Sequence, residues 1–221
     1  MDAVRVALLR EVLAGTEWLP STRRFAGSLR SSVSPRGGGL LLVGTEEHEP
    51  WHLAAHLDDE AAWSGLPELS PTLVRHRVPP AAPAHLSCGL ARLEAAGRNE
   101  TLLVVAPGEP GGGLLERVHD ARRAGATVLA LEGGASPDTS GSPGTTELGG
   151  MAHDALTADP QELDLDTLQH LVSAAAGEAV PGPGGLTRRS RPFTAARHTR
   201  GFRDRLSRLA ERLTAPPPPR W

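Results

Sequence analysis

The feature that most constrains the fold is a set of short apolar runs with almost no polar interruption. The three clearest runs lie at residues 39–44 (GLLLVG), 101–106 (TLLVVA) and 126–131 (ATVLAL). A strand that is apolar at nearly every position, and not only at alternate positions, must be covered on both faces. Each run is followed by a segment with helical spacing of apolar residues, and this alternation is typical of a parallel sheet between helical layers. We therefore predict an α/β fold, a doubly wound three-layer α/β/α sandwich.

The remaining elements follow from spacing and from chain breakers. Weaker strands are predicted at 72–76 and 154–158. Helices are predicted, in chain order, at 3–14, from Pro50 to Trp63, and at 85–96, 114–124, 147–151 and 161–176. The high Ser, Arg and Gly content of residues 20–39 predicts a loop. The Gly/Ser/Pro/Thr segment at 132–146 is long for a compact domain, which indicates either a functional or a mobile loop.

Four regions are predicted along the chain: an N-terminal helix and loop at 1–37, the α/β domain at 38–176, a Pro/Gly/Arg linker at 177–198, and a basic amphipathic helix with a Pro-rich end at 199–221. The net charge of −3 hides an asymmetry, since residues 186–221 carry +8 and the remainder carries −11. The apolar stripe of the last helix is narrow, which favours packing on its own subunit or on a partner subunit. An anionic membrane or a nucleic acid stays open as its partner.

Composition excludes several classes of protein. Cys88 is the single cysteine, which excludes an intramolecular disulfide and a multi-cysteine metal site. The charged N-terminus does not read as a signal peptide, and no apolar run approaches the ~18 residues of a membrane span. The chain has no Lys and no Ile, which is typical of a GC-rich bacterial genome. We expect a soluble protein of the bacterial cytoplasm.

The order of these parts resembles the SIS (sugar isomerase) domain family, with degenerate phosphosugar-binding motifs. The more specific half consists of the helix LLERVHDARRAGA (114–126), the strand TVLALEGG (127–134) and the segment ELGGMAHDALTADP (147–160). The strand ends LLLVGT (40–45) and TLLVVAP (101–107) carry the weaker half. The resemblance covers about 38–176, and it implies a SIS or flavodoxin-like strand order, a phosphosugar ligand at the carboxyl edge of the sheet, and a homodimer.

Candidate ligand-binding residues are those that match the family's phosphate site. Members hold the phosphate with hydroxyl side chains after the first strand, with an S-x-S-G-x-T turn after a central strand, and with amides at helix N-termini. The matching residues here are Gly44 and Thr45, and a turn without Ser or Thr that contains Gly108, Gly111, Gly112 and Gly113. The 132–146 loop offers further hydroxyls, those of Ser140, Ser142, Thr145 and Thr146. A phosphorylated small molecule is the expected ligand.

Charge argues against an ordinary phosphosugar site. Four carboxylates are expected near the phosphate, those of Glu46, Glu47, Glu49 and Glu109. Each close pair of like charges costs about 1–4 kcal/mol at a protein surface, and a helix dipole offsets only about 1 kcal/mol. Pro107 and Pro110 also remove backbone donors from the turn.

Catalysis and metal binding each have a candidate group. An active isomerase would need a proton-transfer base, for which Glu46, Glu47 and His48 are the candidates. His48, His52 and His56 recur at i, i+4 and i+8, and two histidines four residues apart on a helix can bind zinc. A solvated helix face explains the same pattern, so neither a metal nor a cofactor is predicted.

These observations favour binding over catalysis. We interpret the chain as a non-catalytic SIS-like binding or regulatory protein that senses a sugar phosphate or nucleotide-type ligand as a dimer. Two alternatives stay open: an active phosphosugar isomerase or lyase, and an assembly protein that acts through its basic C-terminal helix.

Overall fold

A computed structural model describes residues 9–33, 38–134 and 146–178. One compact unit spans Gly15–Ala179. Of the helix predicted at 3–14, residues 9–12 are described and helical. The predicted basic helix at 199–221 and all of the linker beyond residue 178 lie outside the described residues.

Five parallel strands form one sheet. They are β1 (Gly39–Gly44), β2 (Pro71–Val74), β3 (Glu100–Ala106), β4 (Thr127–Gly133) and β5 (Asp154–Ala158). Their order is β2-β1-β3-β4-β5, which confirms the predicted doubly wound α/β fold. Val43 is in register with Val74 on one side and with Val104 on the other, so the carboxyl ends of β1 and β2 lie level with each other.

The helices form two layers. One layer contains α1 (Trp18–Ser32), α2 (Trp51–Ser64) and α6 (Leu165–Ala176), in which α6 contacts both other helices and all three contact the sheet. The other contains the single turn α3 (Ala91–Glu94), the long α4 (Gly112–Arg123) and the short α5 (Glu147–Met151). Short 3-10 turns lie at Pro67–Leu69 and Ala84–Leu86. None of the described helices combines the length and hydropathy that a membrane span requires.

The central strands are buried on both faces, which is the physical reason for their continuous apolar runs. Leu41 and Val43 pack in one cluster with Val118 of α4. Leu40 and Leu42 are no more than 1% exposed and point to the opposite layer, because successive side chains of a strand alternate. The polar residues of these strands therefore lie near the strand ends.

The loop predicted at 20–39 is wrong, because residues 18–32 of that region form α1. Phe25, Ala26 and Leu29 are buried, and with Thr22 they recur at helical spacing along the face of α1 that packs against α6. The many Ser, Arg and Gly residues of this segment lie between those apolar positions. Periodicity therefore outweighs composition here.

The helix predicted at 85–96 is also wrong. A 3-10 turn at Ala84–Leu86 is followed by an extended stretch in which Gly89 bridges Arg75, and only then by the single turn α3. The backbone N–H of Arg75 donates to the carbonyl of Cys88 at 2.9 Å. The segment thus continues the pairing of the sheet beyond β2, which competes with helix formation.

Candidate functional site

A cleft of about 260 Å³ opens at the carboxyl ends of β1 and β2. The chain leaves β1 toward β2 and returns to β3 on the other side of β1, so the topological switch point lies between β1 and β3. The cleft lies on the β2 side of that point. Two loops supply its polar lining: Gly44, Thr45, Glu46 and Glu49 after β1, and Arg75, His76 and Arg77 after β2.

Two ion pairs cross the cleft between these loops. Arg75 Nε lies 2.8 Å from Glu49 Oε1, and Arg77 Nη2 lies 2.6 Å from Glu46 Oε1. The Arg75 pair is the more enclosed, with side chains 21% and 35% exposed, whereas Arg77 is 84% exposed. Two of the carboxylates expected to repel a phosphate are therefore neutralised by arginines of the neighbouring loop.

His76 holds the two loops together. Its Nε2 lies 2.9 Å from the carbonyl oxygen of Gly44, and because a carbonyl can only accept, Nε2 carries the proton of this hydrogen bond. The bond joins the loop after β2 to the last residue of β1. It also fixes the backbone between Arg75 and Arg77, the neighbours of His76 in sequence.

The three candidate bases do not converge on the cleft. Glu46 lines it but is paired with Arg77. Glu47 is exposed and does not line it. His48 donates its backbone N–H to the carbonyl of Thr45 at 3.3 Å, and its Nε2 is buried without a hydrogen bond to any described residue. Thr45 itself lines the cleft and is only 8% exposed.

The glycine-rich turn after β3 is open on its outer side. Gly111 is the N-cap of α4, which begins at Gly112. A Cβ placed on Gly108, Gly111 or Gly112 would meet no atom within 4 Å, and one on Gly113 would approach only a guanidinium nitrogen of Arg117, at 3.6 Å. Packing within the described residues therefore does not explain these glycines. They leave open space beside the switch point.

Of the candidate hydroxyls in the 132–146 loop, the structure describes only that of Thr146. Thr146 caps α5 by accepting from the N–H of Gly149 at 2.8 Å, and it donates to the carboxylate of Glu132. Glu132 lies near the end of β4 and is only 4% exposed. The Thr146 hydroxyl is thus engaged in capping. Ser140, Ser142 and Thr145 lie outside the described residues.

The histidine stripe does not form a metal site in the described structure. His48 precedes α2, His52 is exposed and lies against the Trp51 ring at 3.5 Å between centroids, and His56 contacts His170 of α6 at 4.7 Å. No group of three possible ligands for a metal ion occurs among residues 9–33, 38–134 and 146–178. Two of the three histidines contact other aromatic rings instead.

Sequence reasoning missed the three residues that line the cleft after β2: His76 and the two arginines, Arg75 and Arg77. Part of their signal was present, because R-H-R stands at the end of the strand predicted at 72–76 and so must lie near the carboxyl edge of a parallel sheet. What the sequence could not reveal is that both arginines meet carboxylates of the loop after β1.

Comparison with known proteins gives likeness of structure only. No family model and no curated protein matches the sequence. Among solved structures, the sugar isomerase domain of an RpiR transcription factor from Sphaerobacter thermophilus is similar at 15% identity and a TM-score of 0.47, covering 94% of this chain and 97% of that one. Its description as a sugar isomerase domain names the family that the sequence resembles.

Two other solved structures are longer than this chain. A Salmonella typhimurium LT2 protein described as sugar-binding has 16% identity and a TM-score of 0.44, with 79% of this chain covering 46% of that one. Vibrio vulnificus NanR, solved in complex with ManNAc-6P, has 10% identity and a TM-score of 0.39, with 79% of this chain covering 62% of that one. These likenesses concern the fold alone.

We expect Gly44→Ala to destabilise the domain strongly. A Cβ at residue 44 would lie 1.8 Å from the carbonyl oxygen of His48 and 2.6 Å from Pro50 Cδ, so the backbone after β1 would have to move. Overpacking of this kind costs about 1–3 kcal/mol. Urea unfolding of the full chain measures the change. Gly112→Ala is the matched control, and it should leave stability equal or raise it by up to about 1 kcal/mol. Equal stability of the two variants would contradict this account of the turn.

The contact of His56 with α6 predicts a pH-dependent stability. Burial, and then the neighbouring His170, lowers the pKa of His56 below its usual value near 6.5. Because the folded protein binds this proton less readily than the unfolded chain, the stabilisation is complete above about pH 6.5 and is lost as the pH falls toward the lowered pKa. His56→Gln should therefore lose less stability than the wild type between pH 7.5 and pH 5 in urea titrations. Ala55→Gln, exposed on the same helix, should follow the wild type, and identical curves for all three proteins would refute the assignment.

Proposed function

We propose that this chain is a non-catalytic binding or regulatory protein that senses a phosphorylated small molecule, a sugar phosphate or nucleotide-type ligand, at the carboxyl edge of its sheet. The observation that carries the proposal is the cleft in which Arg75 and Arg77 face the loop that holds Thr45. Guanidinium groups bind phosphate through paired N–H donors, and a hydroxyl both donates and accepts. Ligands of open α/β sheets generally bind at this edge.

The size and lining of the cleft suit a small polar ligand. Its volume of about 260 Å³ is close to the lower end of the roughly 300–1,000 Å³ that small-molecule sites occupy. The two guanidiniums can meet an anionic group, while the carboxylates of Glu46 and Glu49 can accept hydrogen bonds from hydroxyl groups. The open space beside Gly108, Gly111 and Gly112 adjoins the switch point at the same edge.

Binding is favoured over turnover because of how the candidate bases are placed. Isomerisation of a phosphosugar requires a base within hydrogen-bond reach of the proton that it removes. Of the three candidates only Glu46 lines the cleft, and its carboxylate is engaged by Arg77. This ion pair occupies the Glu46 carboxylate with a guanidinium and not with a substrate proton.

The proposal also covers the cellular location and the oligomeric state of the protein. We place the protein in the bacterial cytoplasm, acting as a homodimer. The basic segment at 199–221 is proposed to pack as an amphipathic helix on its own subunit or on a partner subunit, since the rest of the chain is strongly acidic.

Phosphorylated sugars should stabilise the full-length protein, and their unphosphorylated counterparts should not. Glucose 6-phosphate, ManNAc-6P and UDP-glucose are suitable probes, compared with glucose and ManNAc in thermal shift and calorimetric titrations. A ligand at one hundred times its Kd contributes about 2.7 kcal/mol to stability. NMR spectra of the same mixtures should show the sugar phosphate unchanged after hours of incubation.

Two results would count against this function. Equal thermal shifts with sugars and with sugar phosphates would show that the protein does not recognise the phosphate group. Conversion of a sugar phosphate to an isomer would show that the protein is an enzyme and not only a binding protein.

Deleting residues 186–221 should change the oligomeric state or the solubility, because the segment removed carries the apolar stripe of Phe202, Leu206, Leu209 and Leu213 together with a charge of +8. Size-exclusion chromatography with light scattering measures the change. Deletion of residues 216–221 alone removes the Pro-rich end but leaves the stripe, and it should behave as the full chain does. Indistinguishable masses and solubilities for all three proteins would refute the role of this segment.

A further inference from the structure

We propose that the anionic group of the ligand binds between Arg75 and Arg77, and that Glu49 and Glu46 hold these guanidiniums as internal anions until the ligand replaces them. The identity of the ligand rests on the proposed function. The position of the anion site does not, because it follows from the charges and contacts at the end of β2.

The two arginines are placed to act together. They stand on either side of His76, whose hydrogen bond to the carbonyl of Gly44 fixes the backbone between them. Both line the same cleft, and both reach across it to carboxylates of the loop after β1. A guanidinium carries five N–H donors in a planar fork, so each arginine retains donors beyond those that face its glutamate.

The glutamates occupy positions that a phosphate can take over. The Arg77–Glu46 pair is solvent-exposed, with side chains 84% and 56% accessible, and exposed pairs of this kind contribute little to stability. In the Arg75–Glu49 pair the 2.8 Å separation satisfies an ion pair, yet the N–H of Arg75 Nε is not aligned for a hydrogen bond with any described residue. A phosphate oxygen in place of the Glu49 carboxylate would give this N–H an aligned acceptor.

The alternative anion site, the turn after β3, is poorly equipped. Its sequence from Pro107 to Gly113 contains no hydroxyl side chain and includes Glu109, and Pro107 and Pro110 have no N–H to donate. The positive charges of Arg75 and Arg77 lie at the end of β2, on the other side of β1 from this turn. The phosphate is therefore assigned to the end of β2, and not to the glycine-rich turn.

Exchange of an internal carboxylate for a ligand phosphate predicts opposite effects for the two members of an ion pair. Removing the arginine should weaken binding, whereas neutralising its glutamate should strengthen it, since the ligand no longer competes with that carboxylate. Loss of a charge-assisted hydrogen bond corresponds to an affinity about 10- to 100-fold lower.

The experiment measures binding of glucose 6-phosphate and of inorganic phosphate by calorimetry and by NMR titration of the full chain. Arg77→Gln should weaken both, and Glu46→Gln should tighten both by a few-fold. Arg77 is largely exposed, so this variant should fold normally, and Arg75→Gln is tested alongside with its thermal unfolding as a check. Arg23→Gln is the matched control: Arg23 is exposed, pairs with Glu178 at 3.8 Å and does not line the cleft. It should bind as the wild type does.

The outcomes separate the two proposals. If the wild type binds glucose 6-phosphate and Arg77→Gln and Arg75→Gln bind it equally well, the anion site is overturned while the proposed function survives. If only inorganic phosphate binds, and its binding depends on the arginines, the anion site stands and sugar phosphate sensing falls. If neither compound binds, or if Glu46→Gln weakens binding as much as Arg77→Gln does, the exchange mechanism is wrong.

Discussion

The burial of β1, β3 and β4 between two helical layers is the constraint on which the rest of the structure depends. Residues such as Leu42, Leu103 and Val104 are fully buried, so these strands have no room for polar side chains along most of their length. Along these strands, polar and charged side chains occur only near the strand ends. The carboxyl edge is the place where parallel strands present such groups side by side, and the glycine at the end of β1 lets the chain turn back tightly over that edge. The chemistry of this protein is therefore concentrated at one boundary of an otherwise apolar sheet.

The ion pairs at the carboxyl edge determine which ligands this edge can bind. Considered along the sequence, Glu46, Glu47 and Glu49 form an acidic loop that would repel an anion. In the folded domain, two of them face Arg77 and Arg75, and the local charge of these four groups balances. The exposed Arg77–Glu46 pair can rearrange around a ligand at little cost, because an exposed ion pair contributes only about 0–1 kcal/mol. The same residues that argue against phosphate binding in sequence thus become competitors that a phosphate can displace.

The parts of the fold that were predictable are those whose signal is local. The strands at 39–44 and 154–158 and the short helix at 147–151 have the bounds that were predicted, because apolar runs and chain breakers mark them directly. The helix α1 was missed because its apolar positions are few and its composition resembles a loop. The segment around Gly89 was misread because its backbone pairs with Arg75, a contact across fourteen residues that no window of sequence contains. The arginines of the cleft were missed for the same reason, since an ion pair between two loops is a property of the fold.

The two ends of the carboxyl edge carry different charged groups, and this difference affects where an anion can bind. Arg75 and Arg77 lie at the β2 side, while the buried carboxylate of Glu132 lies at the β4 side, held by the hydroxyl of Thr146. Adjacent strands are about 4.8 Å apart, so roughly 14 Å separates these opposite charges across the sheet. An anion that displaces Glu46 and Glu49 gains two guanidiniums at the β2 side, whereas the carboxylate of Glu132 repels it at the β4 side, and the open glycine-rich turn lies between them. A ligand that combines a phosphate with an uncharged polar body matches this arrangement, because only its anionic end needs the arginines and its remaining atoms can extend over the glycines toward the switch point.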